Sequence, residues 1–320
     1  MADLDLLIIG TGSGNSILTH EFDDWQVGIV ERDVFGGTCL NRGCIPSKMI
    51  VVPANRVVEA AEADRLGVSF QDPKVDWPAI RDRVFARIDP IASGGERYRR
   101  GQDNVTVFAG DARFTGLRTV RVDTADGPVE LSADRVVLAA GARPYLPPVP
   151  GLADTPFHTS DSIMRIPELP ERLVVLGGGY IAAELGHVFA SFGSRVSVVH
   201  RGDRMLRHED TEVSARFTEE FGRRVYLHLN AEARAVSYED GEFTVDLDCW
   251  RPDGSDVPEV VHGDALLVTT GRIPNGRQLD VGVQAAGHAR GLALEVVTHA
   301  GALLHDLAAH SDQPLRRRSR

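Results

Sequence analysis

The feature that most constrains this chain of 320 residues is a pattern that occurs twice: a short apolar run, a glycine cluster and a helical pattern. The first copy spans residues 4–18 and the second spans residues 173–192. A further apolar run follows each copy, at residues 27–30 and 196–199. Two separate β-α-β patterns predict an α/β fold with two doubly wound, Rossmann-like dinucleotide-binding domains.

The first glycine cluster matches the opening of the G-x-G-x-x-G fingerprint of dinucleotide sites. Gly10 allows the tight turn, and Gly12 lets the backbone approach a pyrophosphate at a helix N-terminus. Asn15 occupies the third glycine position, and the neighbouring Gly14 can compensate for the looser packing. Glu31 ends the next strand, where a carboxylate can accept hydrogen bonds from ribose hydroxyls. These residues predict a dinucleotide site, whereas the glycines alone would also fit an ordinary tight turn.

The second glycine cluster carries the same fingerprint, with alanine as an accepted variant in the last position. Its three positions are Gly177, Gly179 and Ala182. The next strand ends at His200 and Arg201, where a site for NAD would place Asp or Glu. Arg207 adds a second guanidinium, and arginine suits a 2′-phosphate that a carboxylate would repel. The sequence therefore predicts NADPH, with a solvated charge cluster as the alternative.

Two cysteines lie five residues apart, at Cys39 and Cys44. A zinc site is disfavoured because zinc usually takes C-x-x-C pairs and further ligands, and Cys249 is remote in sequence. On a regular helix this spacing corresponds to about 7.5 Å along the axis, too far for an unstrained disulfide. Gly43 and Pro46 would let the helix distort. We therefore expect a strained, easily reduced disulfide, with a helix N-terminus near the first cysteine favouring its thiolate.

The segment of residues 36–48, GGTCLNRGCIPSK, resembles the signature of the flavin-dependent pyridine-nucleotide disulfide oxidoreductases. The resemblance implies that Cys44 lies next to the flavin of FAD and that Cys39 attacks the substrate disulfide. It also implies that Lys48 and Glu184 lie near the flavin ring, although an exposed helical lysine and an ordinary helical glutamate are the alternatives. The residues that would contribute to cofactor binding by this resemblance are Glu31, Thr38, Lys48, Ala112, Gly141 and Gly271.

The proline-rich stretch at residues 143–151 places the predicted domain junction. We expect an FAD-binding domain with the redox disulfide at 1–150, an NADPH-binding domain at 151–272 and a remnant tail at 273–320. Family members continue with a Gly-Asp motif and an interface domain that forms a homodimer and donates a His-Pro histidine. No such motifs follow Asn275, so we expect a C-terminally truncated chain with an aberrant end after about Val281. Four histidines there are not candidate bases: His288, His299, His305 and His310.

The formal net charge of -11 argues against a protein that grips nucleic acid. The N-terminus carries Asp3 and Asp5 where a secretory signal would be basic, and the first apolar run is too short to span a bilayer. We therefore expect a cytoplasmic NADPH-dependent disulfide reductase acting on a small disulfide. The glycine cluster around Asn15 resembles mycothione reductases most, which implies mycothione as substrate. The alternatives are a glutathione reductase- or dihydrolipoamide dehydrogenase-type relative, or an impaired nucleotide-binding fragment.

Overall fold

The computed structural model describes residues 2–71, 73–250, 256–280 and 295–296. These residues belong to two compact units. The first comprises the described residues within Met1–Asp33, Asp103–Gly141 and Gly276–Arg320. The second comprises the described residues within Val34–Gln102 and Ala142–Asn275. This division follows packing rather than chain order, and the predicted cofactor domains at 1–150 and 151–272 stay a prediction. The aberrant end expected after Val281, with its four histidines, lies outside the described residues apart from Glu295–Val296.

The first unit is built on a mixed sheet. Its described strands are β1 (Ala2–Ile9), β2 (Val27–Glu31), β3 (Val105–Phe114), β4 (Thr119–Thr124), β5 (Gly127–Leu138) and the short Glu295–Val296. β1 lies between β2 and β5 and runs parallel to both, while β3 continues the parallel order beside β2. β4 runs antiparallel to both β3 and β5. Leu7 and Ile8 of β1 are fully buried, as expected for a parallel strand covered on both faces.

The connection from β1 to β2 differs from the prediction. It contains two 3₁₀ helices, Ser13–Ile17 and His20–Phe22, where the pattern predicted one longer helix. Serine and asparagine side chains compete with regular helix by bonding to nearby backbone, and the Ser16 hydroxyl donates to the Ser13 carbonyl at 2.7 Å. The helix prediction is therefore wrong for this copy, and Gly12 does not precede an α-helix whose dipole would attract a pyrophosphate.

The second unit contains three sheets and five α-helices among its described residues. Its strands are β6 (Ala142–Pro144), β7 (Arg172–Leu176), β8 (Arg195–His200), β9 (Tyr226–Leu229), β10 (Ala231–Glu239), β11 (Glu242–Trp250), β12 (Asp256–Gly263), β13 (Ala265–Val268) and β14 (Arg272–Pro274). Its helices are α1 (Gly37–Asn41), α2 (Cys44–Ala61), α3 (Trp77–Arg100), α4 (Tyr180–Ser191) and α5 (Thr211–Phe221). The parallel sheet has the order β13-β7-β8-β9, which confirms the predicted α/β class.

The main core of the second unit lies where α2 and α3 pack with α4 and the parallel sheet. Asp76 caps α3, because its carboxylate accepts from the Ala79 backbone nitrogen at 3.0 Å. Trp77 follows at 2% exposure and donates its indole N–H to the Ile166 carbonyl at 2.9 Å. Because the indole N–H has a hydrogen-bond partner, burial of this large aromatic side chain leaves no unpaired donor. No helix in the described part of the chain is long and apolar enough to cross a membrane.

Candidate redox and dinucleotide sites

Cys39 and Cys44 lie on either side of a break between two helices. Cys39 is in α1, which has 5 residues, and Cys44 is the first residue of α2, which has 18. Between them, Arg42 (φ -144°, ψ 7°) and Gly43 (φ -139°, ψ -116°) have non-helical dihedral angles. The expected distortion of one helix is thus a complete interruption, so the cysteines can meet without bridging successive turns of one helix.

Gly43 and Pro46 act differently from the prediction. A Cβ on Gly43 would lie 3.0 Å from the Thr38 carbonyl oxygen, so the glycine permits a close approach of the backbone at the break. Pro46 lies in the first turn of α2, where a backbone N–H would have no intrahelical partner. The proline therefore favours the start of a helix here and does not distort its interior.

The two cysteines are free thiols that lie close to each other. Burial raises the pKa of the Cys39 thiol, and its interaction with Cys44 raises it further. Cys44 is exposed at the N-terminus of the long helix α2, where the helix dipole favours negative charge. The long helix begins at Cys44, whereas the sequence pattern placed a helix N-terminus near Cys39. The arrangement is a pair of free thiols close to each other, and the predicted redox disulfide stays a prediction.

Asn41, between the two cysteines, is a residue that no sequence pattern singled out. It is 5% exposed, and its Nδ2 donates to the Phe35 carbonyl at 2.8 Å and to the Gly37 carbonyl at 3.1 Å. The side chain therefore fastens α1 to the turn that precedes it. An amide between two cysteines is the only signal in the sequence, and its meaning depends on carbonyls that only the structure locates.

Arg272 makes a second connection to α1. Its guanidinium contacts the Thr38 hydroxyl at 3.5 Å and the Asp161 carboxylate at 3.8 Å, and it donates to the Ala142 carbonyl. Thr38 is thus held against the two-stranded sheet of β6 and β14. This restrains the residue next to Cys39, and the predicted FAD contact of Thr38 stays a prediction.

Lys48 and Glu184 form an ion pair. The Lys48 ammonium donates to Glu184 Oε1, and the side chains are 61% and 36% exposed. The pair joins α2, which carries Cys44, to α4, which follows the second glycine cluster. The sequence identified both residues but not their contact, because they lie 136 positions apart in the chain. Their predicted position near a flavin stays a prediction.

The first glycine loop packs closely against the residue that follows β5. Gly10 has φ +104°, and a Cβ there would lie 2.3 Å from the Ala139 carbonyl oxygen, so only glycine fits. A Cβ on Gly14 would lie 2.2 Å from the Ala139 Cβ. Gly14 therefore provides the close packing that Asn15 could not provide from the third fingerprint position.

Glu31 faces this loop. Its Oε2 accepts hydrogen bonds from the Thr11 backbone nitrogen at 3.0 Å and from the Thr11 hydroxyl at 2.6 Å. A loop with glycine at positions 10, 12 and 14 beside a carboxylate is the combination that suits a pyrophosphate and an adjoining ribose, so these residues fit FAD. Of the other predicted contacts, Ala112 is 8% exposed in the core of its unit and offers only its backbone. Gly141 has φ +65°, and a Cβ there would meet no heavy atom within 4 Å among the described residues.

The second glycine loop has one tight and one open position. Gly177 has φ +122°, and a Cβ there would lie 2.6 Å from the Thr269 carbonyl oxygen. Gly179 has no described atom within 4 Å of its Cβ position and precedes α4 without a side-chain cap. Ala182 is fully buried, as close packing of helix and strand requires. The open N-terminus of this 12-residue helix suits a pyrophosphate.

His200 lies beneath the loop. Its ring is 8% exposed, and Cβ atoms built on Gly178 and Gly202 would lie 2.4 Å and 2.7 Å from it. Burial lowers the pKa of His200, and the neighbouring Arg207 and Arg201 lower it further. The neutral ring therefore supplies no positive charge for a phosphate, and its contact with the packed glycines is its clearest structural role.

Arg201 and Arg207 are exposed in the turn that follows β8 and its last residue, His200. Within the part of the chain that the structure describes, neither guanidinium makes an ion pair or hydrogen bond. The turn is fixed to the glycine loop, because the Leu206 nitrogen donates to the Gly178 carbonyl at 2.8 Å. Two exposed guanidinium groups near this loop carry the charge that a phosphate monoester attracts, and their predicted contact with NADPH stays a prediction.

Gly271 lies where the chain leaves β13 for β14. It has φ +144°, and its carbonyl accepts from the Tyr145 nitrogen at 2.9 Å. The nearest atom to its Cβ position is the Tyr145 Cβ at 4.0 Å. Its dihedral angle explains the glycine, and the predicted cofactor contact stays a prediction.

Comparison with known proteins identifies relatives over most of the chain. The family described as "Pyridine nucleotide-disulphide oxidoreductase" matches residues 4–298. The chain is 41% identical over 285 residues to mycothione reductase of Mycobacterium tuberculosis, covering 88% of this chain and 60% of that protein. It is 34% identical over 320 residues to mercuric reductase of Acidithiobacillus ferrooxidans, covering 98% of this chain and 55% of the relative.

Solved structures agree with these matches. The HOCl-induced flavoprotein disulfide reductase RclA from Escherichia coli, as its Cu(II) complex, has a TM-score of 0.76 and 26% identity. That likeness covers 89% of this chain and 60% of the RclA chain. The present chain thus spans about 60% or less of the length of these relatives.

Proposed function

Because the chain belongs to the pyridine nucleotide-disulphide oxidoreductase family, whose members use FAD and NAD(P)H, we propose that it reduces a low-molecular-weight disulfide with NADPH. The observation that carries the proposal is the closeness of the free Cys39 and Cys44 thiols at the break between α1 and α2. The proposal is also supported by two separate glycine loops of the dinucleotide-binding type in the same chain.

The cysteines would perform the thiol chemistry in two steps. FAD held at Gly10, Gly14 and Glu31 would supply two-electron transfer from NADPH to the Cys39–Cys44 disulfide. The Cys39 thiolate then attacks one sulfur of the substrate disulfide, whose S–S bond breaks, and the first thiol leaves after taking a proton. The Cys44 thiolate attacks the Cys39 sulfur, releases the second thiol and restores the disulfide. In sum, NADPH, a proton and one disulfide give NADP⁺ and two thiols.

The positions of the two sulfurs support this division of roles. Cys44 is exposed at the N-terminus of α2, where the helix dipole favours negative charge. Burial raises the pKa of the Cys39 thiol, so this thiol ionises less readily than an exposed cysteine and must lose its proton when it attacks. The Lys48–Glu184 pair would act in the same reaction from the α2–α4 contact.

For the substrate we propose mycothione, because a mycothione reductase shares 41% of its residues with this chain over the aligned region. NADPH rather than NADH follows from Arg201 and Arg207, which are exposed and pair with no group in the described part of the chain. A cytoplasmic location belongs to the same proposal, since small-molecule disulfides are reduced in that compartment.

Reduction of the flavin by NADPH tests the electron path. Protein reconstituted with FAD should be yellow, should lose its flavin absorbance when NADPH is added without oxygen, and should yield two additional titratable thiols. Cys39→Ser and Cys44→Ser should abolish the gain of thiols, whereas Cys249→Ser serves as the matched control and should retain it. A preparation that takes up no FAD, or that NADPH leaves unchanged, would support the nucleotide-binding fragment instead.

The substrate is tested separately. Reduced protein is mixed with mycothione, glutathione disulfide or lipoamide, and the reappearance of the Cys39–Cys44 disulfide is followed. Mycothione should oxidise the pair faster than the other two. Faster oxidation by glutathione disulfide or lipoamide would overturn the mycothione assignment and leave the general activity in place.

A further inference from the structure

We propose that Asn41 is the positioning residue that sets the dithiol–disulfide equilibrium of Cys39 and Cys44, an inference that rests on the proposed redox function of that pair. The side chain lies two residues after the first cysteine and three before the second. It would act through the position of α1, to which its amide is hydrogen-bonded.

The two hydrogen bonds of Asn41 define the orientation of its amide. Both partners, Phe35 and Gly37, offer carbonyl oxygens, and only the NH₂ group can donate to them. The bond to Phe35 reaches the turn before α1, and the bond to Gly37 reaches the first residue of α1; the junction contains two successive glycines with positive φ, Gly36 at +101° and Gly37 at +63°. The amide therefore fixes an otherwise permissive turn immediately before the helix that carries Cys39.

The amide oxygen of Asn41 differs from its NH₂ group in having no partner among the described residues. Asn41 Oδ1 is buried and has no hydrogen-bond partner in the described part of the chain. A buried, unpaired acceptor is destabilising. The benefit of asparagine at this position therefore lies in its two N–H donors.

The length of α1 explains why this anchor matters. A helix of 5 residues is too short to be stable by itself, so its position depends on tertiary contacts. If the amide is lost, α1 can shift, and the Cys39 sulfur spends less time within reach of Cys44. A lower effective concentration of one thiol at the other disfavours the disulfide relative to the dithiol.

The test measures this equilibrium directly in the full chain. Wild-type protein, Asn41→Asp and Asn41→Leu are equilibrated in buffers of reduced and oxidised glutathione, and the disulfide fraction is determined by alkylation and mass spectrometry. Aspartate keeps the shape but cannot donate, and leucine has similar volume without charge. Both should lower the equilibrium constant for disulfide formation about tenfold, which corresponds to ~30 mV toward a more oxidising potential.

Asn104 provides a matched control in the other unit. Its Nδ2 also donates to two carbonyls, those of Phe22 at 2.9 Å and Trp25 at 3.0 Å. Asn104→Asp should lower the melting temperature about as much as Asn41→Asp while leaving the cysteine equilibrium at its wild-type value. Circular dichroism checks that each variant folds. If Asn41→Asp does not fold, the test is made with Asn41→Leu.

The outcomes separate this inference from the function on which it rests. If wild-type protein forms no Cys39–Cys44 disulfide in any buffer, the proposed redox function fails. If it does, and the two Asn41 variants have the wild-type equilibrium, the positioning role is refuted. An equal shift in Asn104→Asp would also refute it, because general loss of stability would then explain the effect.

Discussion

Thr11 donates two hydrogen bonds to one carboxylate oxygen of Glu31, from its backbone nitrogen at 3.0 Å and from its hydroxyl at 2.6 Å. The other carboxylate oxygen accepts from the Asp33 nitrogen at 3.0 Å. Glu31 therefore holds the first glycine loop against the end of β2, in addition to its predicted contact with a ribose. Loss of its charge should disturb the loop and the cofactor together.

Glu31→Gln should weaken FAD binding. Hydrogen bonds to a charged group contribute about 1.5–3 kcal/mol, so we expect the affinity to fall roughly tenfold or more. The measurement is the flavin bound per chain after reconstitution and dialysis. Glu21→Gln, which neutralises an exposed glutamate in the same unit, is the control and should bind FAD like the wild type. Equal flavin content in both variants would contradict a role for Glu31.

Arg201→Ala and Arg207→Ala should each weaken NADPH binding while leaving NADH binding unchanged. A charge-assisted bond to the 2′-phosphate contributes roughly 1.5–3 kcal/mol, so we expect a loss of about 10- to 100-fold. Titration calorimetry with both nucleotides measures the change. Arg216→Ala removes an arginine that pairs with Glu219 and Glu220, and it should preserve the preference. Parallel losses for NADH and NADPH would show that the arginines do not recognise the phosphate.

Gly177→Ala and Gly179→Ala should separate folding from nucleotide binding. The first substitution brings a Cβ within 2.6 Å of the Thr269 carbonyl oxygen at φ +122°, so it should lower the melting temperature markedly. The second places a methyl group in open space, so the fold should be kept while the approach of the pyrophosphate is obstructed. Thermal unfolding and NADPH titration give the two readouts. A stable protein with wild-type affinity from Gly179→Ala would argue against a nucleotide at this loop.

His200 should make the folded chain sensitive to acid. Burial, together with Arg207 and Arg201, lowers its pKa in the folded state, so the unfolded chain binds the proton more readily. The stability that the neutral ring contributes is present above the unfolded pKa of about 6.5 and is lost as the pH falls toward the folded value.

His200→Gln should therefore reduce the loss of unfolding free energy between about pH 7 and pH 5, measured by urea denaturation. Part of the loss should persist, because burial also lowers the pKa of His158 and His187. His208→Gln, at an exposed position in the same turn, is the control and should retain the wild-type slope. Identical slopes for His200→Gln and wild type would contradict the prediction.

Several parts of the site could be predicted from local sequence, because each depends on a few adjacent residues. The apolar runs at β1 and β7 predict buried parallel strands whatever surrounds them. Gly10 and Gly177 follow these strands and have positive φ values that other residues rarely adopt. The compensation of Asn15 by Gly14 was also foreseeable, since the two are neighbours.

Other features depend on residues that are distant in the chain. The sequence pattern predicted a helix after Gly12 and one distorted helix through both cysteines, whereas the folded chain has a 3₁₀ turn and a full interruption. Local propensity is weak enough for packing against the rest of the unit to override it.

By itself, the sequence determined the buried strands of the two repeated patterns, their glycine turns and the cysteine pair, because periodicity and backbone freedom are local properties. Tertiary structure alone decided that Lys48 meets Glu184, that Arg272 contacts Thr38 and that His200 is buried beneath Gly178. These contacts join residues from separate elements. Their formation depends on how the elements pack, which no single stretch of sequence specifies.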